Sequence, residues 1–169
     1  MQRGIVLNEP EYPPCAQHLA ALRERRGLTK GQVAERLGLP SHWLDDLEAY
    51  DQELYANIAL RHLSELARAL GVSVADILVA GTGGGAGERL PFAQVPDRLR
   101  AVLAGGAESV EAFGQRVGWE VDRVLDNPAD MWGWCPDELR DISRGLGIDW
   151  VAALPGPADR PPPAHQTGA

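Results

Sequence analysis

The stretch from Thr29 to Gly38 sets the tightest local constraint on this chain. Thr29-Lys30-Gly31-Gln32 has the S/T-x-x-E/Q spacing in which a hydroxyl and a side-chain amide satisfy orphan backbone donors at a helix start. Gly38 supplies the left-handed residue that closes a helix. Only about two turns fit between them, with Val33, Ala34 and Leu37 on one face. Leu39 anchors the turn, and Pro40 or Ser41 begins a third helix whose Leu44 and Leu47 point inward. Two short helices across a glycine turn are therefore predicted. Their neighbours are helical too: Leu19, Leu22 and Arg23 share a face ahead of Gly27, and Leu60, Leu63, Leu66, Ala67 and Leu70 share one ahead of Gly71. Ser73 then opens a last short helix with Val74, Ile77 and Leu78.

Taken together, GLTKGQVAERLGL, WLDDLE and LSELARALGVSVADIL resemble the Cro/CI-type, or xenobiotic-response-element (XRE), family of bacterial and phage helix-turn-helix regulators. The resemblance implies a lambda-repressor-like domain of about five helices, with the start of its third helix reading base edges and its second helix lying across the phosphate backbone. Carried onto this sequence, the reading positions are Ser41, His42 and Asp46, with Trp43 and Asp45 beside them, and the phosphate contacts are Thr29 and Lys30. The family also pairs the residue at Glu48 with an arginine on helix one, here Arg23, as a structural ion pair.

The organisation follows from composition shifts. Residues 1–15, with Pro10, Pro13 and Pro14, read as an extended N-terminal arm, and 81–88 (GTGGGAGE) as a Gly-rich linker. Residues 155–169, with PGPADRPPPAH, read as a disordered tail. Between them lie 16–80, the helix-turn-helix domain, and 89–154, where a shift of 80 sets Ser109 on Thr29, Phe113 on Val33, Arg116 on Arg36, Gly118 on Gly38 and Val124 on Leu44. A shift of 76 then sets Leu139 on Leu63, Ile142 on Leu66, Arg144 on Arg68 and Gly147 on Gly71, so the connecting loop is four residues shorter. The expected fold is all-α, two tandem helix-turn-helix domains with the second degenerate, against chance agreement of helical patterns. In the second segment Leu103 and Pro128 stand at the ion-pair positions, and Val121, Asp122 and Asp126 at the reading positions, which suits packing or dimerisation.

Charge bears on function. The chain carries 24 acidic against 16 basic residues, a net charge of -8, so affinity for nucleic acid has to come from a local basic face, for which Arg25, Arg26 and Lys30 are candidates. The loop AYDQELYAN after the third helix has no Lys or Arg. Two readings stay open: a DNA-binding transcriptional regulator acting as a homodimer on two half-sites, and a helix-turn-helix module turned to a protein partner of antitoxin or adaptor type. No catalytic residue, metal set or cofactor is expected. His18, His42, His62 and His165 lack ligand spacing, Cys15 and Cys135 form no metal motif, and the glycine run lacks the end of a phosphate loop. Without a signal peptide or an apolar run of membrane length, a cytoplasmic protein that does not engage membrane is expected. The five tryptophans divide between core positions, as for Trp119 and Trp150, and either partner anchors or covers of the junction, as for Trp43, Trp132 and Trp134.

Overall fold

The computed structural model describes residues 12–80 and 87–163. Within them the chain is all-helical, and the nearest approach to a sheet is one isolated parallel bridge between Glu88 and Ile148. The first half runs α1 (Cys15–Arg25), α2 (Lys30–Leu37), α3 (Ser41–Ala49), a π turn (Glu53–Asn57), α4 (Leu60–Leu70) and α5 (Val74–Ile77). The second runs through a 3-10 turn (Phe92–Gln94) to α6 (Val95–Ala104), α7 (Val110–Val117), α8 (Asp122–Asp126), a 3-10 turn (Pro128–Gly133) and α9 (Pro136–Leu146). None of the described helices is long and apolar enough to cross a membrane.

The short helices end where their caps require. Thr29 Oγ1 accepts the Gln32 N–H at 3.2 Å and Gln32 Oε1 accepts the Thr29 N–H at 2.9 Å, which opens α2. Ser109 Oγ accepts the Ala112 N–H at 3.1 Å and opens α7 in the same way. Gly38 (φ 65) and Gly118 (φ 83) turn the chain out of α2 and α7 through left-handed backbone that a Cβ disfavours. Lys30–Leu37 and Val110–Val117 thus lie 80 residues apart at both ends, and Leu60–Leu70 and Pro136–Leu146 lie 76 apart at both ends.

The halves differ where proline intervenes. Asn127 precedes Pro128 and is extended (φ -135, ψ 100), because the proline ring crowds a helical residue before it, so α8 stops at five residues where α3 has nine. Residues 150–153, which lie 76 residues beyond α5, make successive turns instead of a helix. Asp149 Oδ1 accepts the Val151 N–H at 3.0 Å, as Ser73 Oγ accepts the Asp76 N–H ahead of α5, but Pro155 follows closely.

The buried side chains of both halves form one continuous core. α1 and α2 pack on α3, and α6 and α7 pack on α9. Across the junction the contacts are reciprocal: α9 packs on the π turn of the first half, and α4 packs on the 3-10 turn Pro128–Gly133 of the second. Interfaces related by a two-fold axis have this exchange of roles. The Leu60 N–H donates to the Trp134 carbonyl at 2.8 Å, and Trp132 and Trp134 are buried in the seam, Trp132 edge-on to Phe92. Tyr12 adds a strap, its Oη donating to Asp137 Oδ2 at 2.7 Å on α9 while its ring lies 4.9 Å from that of Tyr55.

Two segments differ from the loops expected of them. The linker ends in a clasp: the Glu88 N–H donates to the Gly147 carbonyl at 3.0 Å, and the Asp149 N–H to the Glu88 carbonyl at 2.9 Å. Gly87 comes so close that a Cβ there would stand 2.7 Å from the Ile148 carbonyl carbon. The expected disordered tail begins at Pro155, yet Pro155 is buried, and it lies with Gly156 and Pro157 against α4 and α5. The Gly156 N–H donates to Asp159 Oδ2 at 2.7 Å, so local hydrogen bonding and apolar contact order what composition alone marks as loose. Residues 1–11 of the arm, 81–86 of the linker and 164–169 of the tail lie outside the described residues.

Candidate nucleic-acid interface

α2 and α3 meet across Gly38-Leu39-Pro40, with Val33 and Ala34 buried on one side and Leu44 and Leu47 on the other. Pro40 caps α3 in an extended conformation (φ -60, ψ 141) without a side-chain hydrogen bond, so the first turn of α3 starts at Ser41 on the surface. Ser41, His42, Asp45 and Asp46 are exposed, and Trp43 is half-buried, its ring 5.7 Å from that of His62 in an edge-on contact. Of the expected readers, Ser41, His42 and Asp46 therefore share the outer face, while Trp43 turns back towards α4.

Arg23 and Glu48 hold α3 against α1. Arg23 Nε donates to Glu48 Oε1 at 2.5 Å and Nη2 to Oε2 at 2.9 Å, while Nη1 donates to the Leu28 carbonyl at 2.8 Å. Their side chains are 11% and 5% exposed, which removes most of the screening that makes surface pairs weak. The hydrogen bond to Glu48 holds the Arg23 guanidinium above its ordinary range.

Two further cations of this half, Lys30 and Arg26, are also engaged. Lys30 Nζ donates to Asp45 Oδ1 at 2.7 Å and lies 3.8 Å from Glu48 Oε2, and the bond to Asp45 pushes its pKa up. Of the three cations expected to gather beside α3, Lys30 reaches it and is answered there by a carboxylate. Arg26 reaches instead to the Gly71 carbonyl at 3.3 Å, at the end of α4. Thr29 has its hydroxyl and N–H inside the capping box. Below α3, Asp51 accepts the Ala16 N–H at 2.8 Å and so caps α1, and Leu54 and Tyr55 are buried, Tyr55 donating to the Leu78 carbonyl. The loop after α3 is in this way committed to the core.

Sequence reasoning missed three things here. The Lys30–Asp45 pair spans 15 residues and has no local signature. Tyr50, the residue that ends α3, is 59% exposed. Arg61, His62 and Arg123 come together with Trp132 and Trp134 along a groove at the junction, and the signal for it was Arg123 standing 80 residues from Trp43.

The glycine turn, the capped α2 and the exposed start of α3 define a helix-turn-helix domain. Residues 16–78 match a family model described as a helix-turn-helix domain. Neither the curated proteins nor the solved structures give a match.

Proposed function

We propose that the chain is a DNA-binding transcriptional regulator of the XRE type in which α3 enters the major groove, with Ser41, His42 and Asp46 toward base edges and Thr29 and Lys30 toward phosphates. The observation that carries this reading is the uncovered first turn of α3 in a domain of helix-turn-helix geometry. The second half is proposed to be a degenerate copy of the first. Its support is the matching bounds of α2 with α7 and α4 with α9, and the reciprocal contacts across the junction. Such a copy takes the place of a second subunit, so the homodimer expected from sequence becomes an internal pair with one reading helix. A shortened α8 bearing Asp122 and Asp126 offers phosphate little.

The test is selection of genomic DNA fragments by the full chain across a range of salt. Selected sites, a falling log affinity with log salt, and loss on Lys30→Glu or His42→Ala are expected. Absence of any selected fragment at low salt overturns the reading. A second reading, a protein partner of basic surface, is favoured by the Lys30–Asp45 pair, which neutralises the cation beside α3 and leaves Asp46 and the exposed Tyr50 unpaired, among the described residues, on its outer side. Capture of a protein that is lost on Asp46→Lys, together with no DNA selection, decides for it.

A further inference from the structure

We propose that the groove between α4 and α8 binds a small organic anion with a flat apolar body, an aryl carboxylate being the simplest member. The groove has a volume of about 700 Å³, in the range of small-molecule sites, and lies where the two halves meet. Its origin is a broken symmetry. In the first half Trp43 of α3 lies against His62 of α4. Eighty residues on, α8 carries Arg123, which is exposed, so the space that an indole fills on one side is left open on the other.

The polar groups facing this space favour a negative ligand. The arginines at 98, 100, 116 and 140 are all taken by carboxylates. Arg61 from α4 and Arg123 from α8 line the groove with no hydrogen-bond or ion-pair partner among the described residues. His62 Nδ1 is buried without a hydrogen bond, its nearest carboxylate oxygen being that of Glu65 at 3.8 Å. A carboxylate between two guanidiniums makes charge-assisted, bidentate bonds, and the parts of Trp132 and Trp134 that reach the groove give the wall apolar contact for a ring.

Acidic residues also line the groove, and most of them are engaged. Glu138 Oε2 accepts the Cys135 N–H at 2.8 Å, and Asp130 Oδ1 accepts the Asn127 side-chain N–H at 2.8 Å. Burial pushes the Glu138 carboxyl above its ordinary range, so it holds a proton more readily and repels an anion less. Glu120 is exposed at the rim, where solvent screens it. None of this depends on what α3 binds.

Calorimetric titration of the full chain with 2-naphthoate, and in parallel with neutral 2-naphthalenemethanol, tests the site. Saturable binding of the anion is expected, weakened about tenfold or more for the alcohol and for the double variant Arg61→Gln with Arg123→Gln. Arg123→Trp should fill the groove as Trp43 fills its counterpart, abolishing binding while the circular-dichroism melt stays cooperative. Lys30→Gln should bind as the parent does. No saturable binding by the parent, equal binding of the alcohol, or undiminished binding by a folded Arg123→Trp overturns the proposal.

Discussion

α3 and α8 each follow a two-turn helix closed by a left-handed glycine, and they differ in how they are held. α3 is nine residues long and is held from below by Arg23 and Glu48. α8 has Leu103 and Pro128 at those positions and ends after five residues. The bidentate pair fixes the inner face of α3 by more than apolar contact. In α8 the pair is absent and the helix is cut short by proline.

The largest way to break this contrast is to remove one partner of the pair. Glu48→Ala leaves the buried Arg23 guanidinium with only the Leu28 carbonyl and a Glu24 carboxylate at 3.7 Å, and should cost about 3 kcal/mol in urea unfolding. Arg23→Leu with Glu48→Leu should recover most of that loss, because both charges go together. Next in size are the caps, which the halves share. Thr29→Ala and Ser109→Ala should each cost about 1 kcal/mol, Thr29 the more because its capping box is reciprocal and that of Ser109 is one-sided.

A smaller effect probes α3 alone. Asp45→Asn frees Lys30, leaves the urea midpoint nearly unchanged, and steepens the salt dependence of DNA affinity by about one phosphate contact. An unchanged slope would show that Lys30 does not face the phosphates. The smallest concerns positions 62 and 138, which the 76-residue offset makes equivalent. Burial lowers the His62 pKa below its ordinary 6.5, so the unfolded chain takes up the extra proton and stability falls as pH drops through about 6.5. Burial raises the Glu138 pKa above 4.5, so there the folded chain holds the extra proton and stability falls as pH rises from about 4.5. His62→Gln should flatten the first slope and Glu138→Gln the second, read from denaturation midpoints across pH.

What was legible in the sequence was what is local. Thr29 and Gln32, Gly38 and Gly118, and the spacing of leucines on α4 and α9 act within a few residues, so their pattern announces the helices and their ends. The junction depends on distant partners. Trp132 and Trp134 sit in a segment of irregular sequence whose burial depends on α4, 70 residues earlier, and composition left open whether they met a partner or the other half. The same distance hid the Lys30–Asp45 pair, in which an expected phosphate contact is shared with a surface carboxylate. Pro155 taught the converse: a proline-rich stretch looks loose in sequence and is ordered here by the groove it happens to reach.

The clasp of Glu88 on Gly147 and Asp149 has a consequence for how such a chain is assembled. The second half enters and leaves at one point, its two ends fastened to each other by a pair of backbone hydrogen bonds. Closing residues 88–149 into a loop in this way fixes the separation of its two ends independently of the helices between them, which are held in addition by their packing on the first half.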